Sequence, residues 1–222
     1  RNELFLVMIG ITIAIVLNLF YDYEGQRQDL IRYMRETENQ LQILLCELAA
    51  YLHNKDMEIN VWDQIIAFEG RMHEFIKAAY DYQDNTFHSH PGYYIDYFEM
   101  RLAQLQVLHN LHYEIKKIRK MPKQALVIAD YIMYMADYVV EMNIPDQQIK
   151  KLEEISEQMK QEELPKTREE FEGRALLYHI LMDLEEFLVY KKRFVSGLDE
   201  KKLRIYWKQE MEQKDSANEL QK

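Results

Sequence analysis

Only Thr12 and Asn18 are plainly polar between Leu4 and Phe20. After Tyr23 the pattern changes to a regular one. Apolar residues fall at Leu30, Met34, Leu41, Leu44, Leu45, Leu48 and Leu52, with polar residues between them. Spacing by three and four is that of one helix face. It predicts a helix that leaves the apolar segment and runs to about Tyr51, with Gly25 the one weak breaker on the way.

A second helix is predicted from Asn60, an N-cap residue with Asp63 three positions on. Its expected apolar face is Trp62, Ile65, Ile66, Met72, Ile76 and Tyr80. The stretch "QDNTFHSHPG" reads as a loop, and Pro91 stands where a first helical turn tolerates a missing N–H. The third helix carries Tyr94, Phe98, Leu102, Leu105, Leu108 and Ile115. Pro122 opens a fourth through Ala129, Ile132, Ala136 and Val140, and Pro145 a fifth through Ile149, Leu152, Ile155 and Met159. Thr167 with Glu170 forms a capping box, and Pro165 ends what precedes it. The helix that follows is apolar over a broad arc, Leu176, Leu177, Ile180, Leu181, Leu184, Phe187 and Leu188, which predicts the centre of the bundle. Gly197 with Leu198 resembles a C-terminal glycine cap, and a short helix over Glu200–Glu212 and a polar tail complete the chain.

No strand alternation stands out, so the expected class is all-α. The expected architecture is an antiparallel helical bundle preceded by one long helix whose N-terminal part is a transmembrane segment. The implied organisation is 1–23 as the end of a membrane domain, 24–213 as a helical bundle, and 214–222 as a flexible tail.

The opening segment has three readings. Seventeen helical residues rise about 26 Å, near the short limit for a bilayer core of about 30 Å. Tyr21 and Tyr23 sit where an interfacial aromatic belt lies, and Arg27, Arg32 and Arg35 follow, against Arg1 at the other end. By the positive-inside rule, a span over 4–20 leaves the residues after about 23 in the cytoplasm. A buried core helix is the second reading. A signal peptide is the third, although "NLFYDYEG" offers no small-x-small cleavage site.

Composition narrows the function. The 222 residues include four prolines, six glycines and 48% hydrophobic residues, which argues for an ordered core. A net charge of −10 argues against a nucleic-acid partner. The lone Cys46 excludes an internal disulfide framework and a thiolate zinc cluster. No Glu stands three residues before a His, as carboxylate-bridged di-iron bundles require. Glu69 and His73, His109 and His112, and the loop pair His88 and His90 are loose pairs, so neither metal nor other cofactor is expected. No phosphate-binding glycine loop and no nucleophile–base pair is legible, and no enzymatic activity is expected.

Two clusters carry candidate chemistry. The run "KKIRKMPK" gathers Lys116, Lys117, Arg119, Lys120 and Lys123. It reads either as a helix C-terminus offsetting its dipole or as a contact for anionic lipid headgroups. The sixteen tyrosines are the second feature, with Tyr93, Tyr94, Tyr97 and Phe98 beside Arg101, and Tyr131, Tyr134 and Tyr138 further on. Rings to stack on and a guanidinium to pair with would suit an aromatic carboxylate. Ordinary core packing is the competing reading.

"HPGYYIDYFEMRLAQLQVL" and "LPKTREEFEGRALLYHILMDLEEFLVYKKRF" closely resemble the C-terminal cytoplasmic domain of the putative aromatic acid exporter family of Gram-positive bacteria. "IGITIAIVLNLFY" resembles the last span of that family's N-terminal membrane domain. The resemblance implies a bacterial inner-membrane protein with a multi-span domain before Arg1 and a helical cytosolic domain engaged in assembly, gating or substrate sensing. In the sensing version Tyr94, Tyr97, Arg101 and Arg174 are the expected contacts for an aromatic carboxylate. The alternative is a helical interaction module, with the stripe Leu30–Leu52 supplying a homodimer seam.

Overall fold

The computed structural model describes residues 2–19, 23–54, 61–86, 91–199 and 206–207. Within them the chain forms α1 (Asn2–Leu19), α2 (Tyr23–His53), α3 (Val61–Asn85), α4 (Gly92–Lys117), α5 (Ala125–Ala136), α6 (Asp146–Lys160) and α7 (Arg168–Ser196). The expected N-cap Asn60, the loop histidines His88 and His90, the tail 214–222 and most of the short helix over 200–212 lie outside the described residues.

Helices α2, α3 and α4 run back along one another in succession, as short links favour, and α7 runs antiparallel to α4. On α2 and α3, Tyr33 stacks on Phe75 with ring centroids 4.4 Å apart, Thr37 meets Met72, and Glu47 accepts from Gln64 Nε2 at 2.8 Å. Partner numbers fall as α2 rises. The pairing of α3 with α4 runs the same way, from Tyr82 against Tyr94 to Trp62 against His109. Helix α7 descends along α4, with Phe194 against Tyr93 and Tyr97, and the Phe187 carbonyl against Gln104.

The stripe of α2 is spent inside this bundle. Leu30, Met34, Leu41, Leu44, Leu45, Leu48 and Leu52 are all buried, packing chiefly on α5 and α3. A seam between two copies therefore cannot be built from Leu30–Leu52 without opening the core.

The central helix is α4 rather than α7. It packs against α3, α7 and α2 and buries a broad arc, including Tyr93, Ile95, Tyr97, Met100, Arg101 and Gln104, while Asp96, Glu99, Gln106, Asn110 and Tyr113 form its exposed stripe. Helix α7 keeps one side in solvent, with Phe171, Tyr178 and Met182 exposed. Its broad apolar arc reflects packing on both α4 and α6 together with this open face.

Other expectations shift by small rotations or a few residues. On α3 the buried face is Val61, Ile65, Phe68, Met72, Phe75, Ala79 and Tyr82, while Ile66 and Tyr80 are exposed. The hydroxyl of Tyr80 reaches out to Glu99 at 3.1 Å, which a Tyr can do while its ring covers the surface. Helix α3 extends to Asn85, into the expected loop, and Asn85 Nδ2 donates back to the Asp81 carbonyl at 2.6 Å. Helix α5 starts at Ala125, after a turn from the Pro122 carbonyl, and stops at Ala136, so Val140 falls beyond it. Gly197 takes right-handed helical angles, φ −81° and ψ −10°, and needs no glycine-specific conformation.

Several signals hold. Thr167 is the N-cap of α7 and its Oγ1 accepts from the Glu170 N–H at 3.1 Å, while Glu170 accepts from the Lys166 N–H at 2.9 Å. Gly173 lets the segment before α5 close on α7: a Cβ there would lie 2.9 Å from the Pro122 ring. Cys46 is a half-buried free thiol against the core, as packing requires.

Among the described residues helix α1 makes no extensive packing contact with another helix. Leu4, Phe5, Leu6, Val7, Met8, Ile9, Ile11, Ile13 and Ile15 are all exposed, from 49% to 75%. The buried core-helix reading of this segment is thereby overturned. The span expected over 4–20 is also not carried by the described helix. Among the described residues, no helix is long and apolar enough to cross a membrane.

The one carboxylate outside the central network with an unmet buried oxygen is Asp183 on α7, whose Oδ2 has no hydrogen-bond partner among the described residues of that kind. Burial first, then Glu114 and Glu186, push its pKa up to about 6. The folded pKa exceeds the unfolded one, so its contribution is present in full below about pH 4 and is lost as pH rises through 6. Replacing it with Asn (D183N) should flatten the pH dependence of stability between 4 and 7. It should also raise stability at pH 7 by about 1 kcal/mol, a figure reduced for partial solvation. Urea unfolding at a series of pH values measures both; parallel curves for the two proteins would refute the assignment.

A candidate functional site at the buried charge network

Four elements bring ionisable groups into the core. From α2 come Arg35 and Glu38, and from α4 come Tyr93, Tyr97, Arg101 and Gln104. The segment 137–145 supplies Glu141, and α7 supplies Lys191. Arg35 joins the two acids: its Nη1 donates to Glu38 Oε2 at 2.8 Å and its Nη2 to Glu141 Oε2 at 2.9 Å. Tyr93 donates its hydroxyl to Glu141 Oε1. Tyr97 donates to Glu38 Oε1 at 3.2 Å. The indole of Trp207 closes the upper edge, its Nε1 donating to the Tyr93 hydroxyl at 3.2 Å, and Tyr206 stacks on Tyr93 with ring centroids 4.0 Å apart.

Arg101 is the most deeply buried charged residue among the described residues, 1% exposed. Its guanidinium lies over the Tyr97 ring at 5.0 Å and donates through Nη1 to Gln104 Oε1 at 2.9 Å. Gln104 in turn donates to the Phe187 carbonyl at 2.8 Å. Glu38 Oε1 is 3.6 Å from Arg101 Nη2, an ion pair without a hydrogen bond. Among the described residues Arg101 Nε and Nη2 have no hydrogen-bond partner of normal geometry, although the guanidinium acts on the Tyr97 hydroxyl and opposes the upward push of burial there. Lys191, 4% exposed, donates to the Glu141 carbonyl.

Burial dominates the electrostatics. It raises the pKa of Tyr93 and Tyr97 beyond any physiological range, and the carboxylates of Glu141 and Glu38 add to that, so both are neutral hydroxyl donors. Tyr94 is pushed up to about 12 by burial, against the pull of Arg27. Arg35 is raised by its two carboxylates, which outweigh its own desolvation. Lys191 is lowered well below its ordinary value, first by burial and then by Arg101.

Tyr94, Tyr97 and Arg101 thus lie together on α4, with Tyr97 and Arg101 inside the network and Tyr94 at its edge against Tyr82 and Tyr206. Arg174 is not with them. It sits near the start of α7, donating to the Glu163 carbonyl at 2.6 Å and to Glu170 at 2.6 Å. Seventeen residues of helix separate it from Lys191, about 26 Å. The cavity beside Arg101 measures about 10 Å³, whereas a cavity that takes benzene measures roughly 150 Å³. Among the described residues no group of His, Cys, Asp and Glu could hold a metal ion.

Sequence reasoning missed Glu38, Glu141 and Lys191. Glu38 was detectable, because it lies four residues after Met34 and three before Leu41 on the buried stripe. Lys191 likewise continues the arc of Phe187 and Leu188. Glu141 had no such signal, since it belongs to irregular chain after α5.

The basic run lies far from this network. Lys116 Nζ stands 4.5 Å over the ring of Tyr51, near the end of α2. Tyr51 is 28 residues from Tyr23, about 42 Å along the helix. Leu19 is held within about 14 Å of Tyr23 by the chain itself. The run therefore sits a helix length from the point where the apolar segment joins, which removes the headgroup reading and leaves the helix C-terminus.

The network predicts strong coupling between Glu38 and Arg101. Breaking a buried pair at one end leaves the other charge uncompensated, so Glu38→Leu should cost about 3 kcal/mol. Glu38→Leu with Arg101→Leu should cost less than the sum of the single changes by about 1–3 kcal/mol. Denaturant unfolding of the four proteins gives the cycle, and additive losses would show that the 3.6 Å pair carries no energy.

The sequence pattern described as "Putative aromatic acid exporter C-terminal domain" matches residues 27–192, the part of the chain that forms the bundle. The chain is 28% identical over 198 residues to "Uncharacterized protein YqjA" of Bacillus subtilis (strain 168). That match covers 87% of this chain and 59% of the Bacillus protein, so this chain spans rather more than half of its relative's length. The crystal structure of a putative membrane protein from Clostridium difficile 630 has the same fold, with a TM-score of 0.66 at 23% identity, over 75% of this chain and 99% of that one. On the match over its bundle, the chain belongs to the family of putative aromatic acid exporter C-terminal domains.

Proposed function

We propose that this chain serves a membrane exporter as its cytoplasmic helical domain, in assembly or gating of the membrane part and without enzymatic chemistry. The observation that carries this reading is α1. A helix apolar on every side is stable only inside a protein or in lipid, and the described large apolar side chains of α1 are exposed rather than packed into the bundle. Its one internal hydroxyl, Thr12 Oγ1, donates to the Met8 carbonyl at 2.8 Å, so it needs no water. Lipid around α1 accounts for nine exposed large apolar residues that water would penalise.

On this reading α2 is the mechanical link. It continues within four residues of α1, is 31 residues long, and is tied to Glu141 through Arg35 and to α4 through Glu38. A displacement of α1 would be felt across the bundle. The membrane-facing end is then the one bearing Tyr94, Tyr206 and Trp207, and cations Arg27 and Arg32 follow the apolar segment on the cytoplasmic side.

The test is flotation of the chain with liposomes of phosphatidylglycerol and phosphatidylethanolamine. The wild-type chain should rise with the lipid. Ile9→Asp with Ile13→Asp should reduce the lipid-bound fraction at least tenfold, because each central Asp costs about 3 kcal/mol. Equal flotation of the two proteins would overturn the reading.

A second reading, an interaction module, is favoured by Phe171, Tyr178 and Met182, exposed on one face of α7 at spacings of seven and four. If that face joins two copies, Tyr178→Glu should convert a dimer of a 27.0 kDa chain to a monomer in sedimentation velocity. A wild-type monomer at the highest soluble concentration would remove this reading.

A further inference from the structure

We propose that Lys191 stands in the core as an uncharged amine, so that binding a proton and closing α7 on the segment 137–145 oppose each other. Its side chain is 4% exposed. Charged groups act on it from the neighbouring elements: Arg101 on α4, Glu38 and Arg35 on α2, and Glu141 on the segment after α5. On its own helix the Phe194 ring lies 5.4 Å from Nζ. The phenol of Tyr138 and the amides of Asn143 and Gln148 line the small cavity beside it. At the first turn of α6, Asp146 is taken by the exposed Lys192 at 2.9 Å.

The contacts are poor for an ammonium. That group carries three N–H donors. Lys191 Nζ has one acceptor, the Glu141 carbonyl, and no carboxylate oxygen within ion-pair distance among the described residues. The adjoining cavity of about 10 Å³ holds at most a single water, so no hydration shell can replace the missing partners. The charges around Lys191 already balance. Arg35 and Arg101 cannot release a proton in a folded protein, and they stand against Glu38 and Glu141. A charged Lys191 would be a third cation against two carboxylates, and lysine is the one of the three that can become neutral.

The opposing influence is small. An aromatic ring at 5.4 Å favours a cation weakly, by much less than the penalty for burying an unpaired charge. Burial, and then Arg101, hold the pKa of Lys191 well below its ordinary value, in the direction the contacts require. Once outside the core, Lys191 regains its ordinary proton affinity, so acid favours every opening that brings it to water. Such an opening breaks the Nζ contact with the Glu141 carbonyl, which joins α7 to the segment 137–145. Because the folded pKa is the lower one, stability rises with pH from the folded value up to the ordinary 10.5.

The test compares the full chain in detergent micelles with Lys191→Met by urea unfolding from about pH 7 to about pH 10. Only the unfolded wild-type chain carries an ammonium at 191, so its folding constant should gain up to about tenfold per pH unit relative to Lys191→Met. At the lower pH Lys191→Met should be the more stable, by about tenfold or more in the folding constant, and the two should converge at about pH 10. Lys191→Arg, charged at every pH used, should be less stable than the wild type throughout. In spectra of the chain labelled with carbon-13 at the lysine ε-position, the signal lost in Lys191→Met should have the shift of a neutral amine at neutral pH. If Lys191→Met does not fold, that spectrum decides alone, by whether one lysine signal already stands at the amine position. Parallel unfolding curves for the wild type and Lys191→Met, or ammonium shifts for every lysine at neutral pH, would each overturn the proposal.

Discussion

Arg35 bridges two buried carboxylates that belong to parts of the chain more than a hundred residues apart. Its own side chain is partly exposed, so water stabilises the cation from outside while Glu38 and Glu141 hold it from within. A fully buried pair of this kind often repays its desolvation poorly. Here one end stays wet, which lowers the cost. The geometric consequence matters more than the net energy. The irregular segment after α5 has few apolar anchors of its own, and Glu141 ties it to α2 while Lys191 ties it to α7.

Around that bridge the core is arranged by α4. A helix packed against three others buries so wide an arc that some of its polar residues must enter apolar surroundings. Helix α4 carries Tyr93, Tyr97, Arg101, Gln104 and His112 inward. The tyrosines serve as donors for Glu141 and Glu38, and their rings pack on Phe98 and Phe194. His112 is held below its ordinary pKa by burial and by Lys116, so it packs as a neutral ring beside Trp62. Tyr93 and Tyr97 each supply apolar area and one hydroxyl for a buried acid.

The two ends of the bundle differ in chemistry. One end holds the beginning of α2, the stacked tyrosines and Trp207. The other holds the cationic run after α4 and the capped start of α7, where the Pro122 ring meets Gly173. Family membership rests on the bundle, residues 27–192, and α1 falls outside that match. The apolar character of α1 thus comes from its own side chains and needs no support from resemblance.

Much of the fold was legible because helical order is written locally. The stripe of α2, the Thr167–Glu170 cap, and Pro91 and Pro145 just before α4 and α6 depend on residues within a turn or two of one another. The all-α class and the antiparallel arrangement follow from them through the short links. Where tertiary packing chose between nearly equal faces, as on α3, spacing alone favoured Ile66 and Tyr80 over Phe68, Phe75 and Tyr82. The end of α5 at Ala136 was also decided by packing, since Val139 is buried outside any helix and Glu141 is drawn to Arg35. The candidate site was half legible: Tyr94, Tyr97 and Arg101 share α4, but Arg174 was drawn in by resemblance and lies elsewhere. Periodicity determines which residues point inward along one helix. It carries no information about which inward-facing acid on another helix they will meet, and that convergence of residues 35, 38, 101, 141 and 191 exists only once the helices are packed.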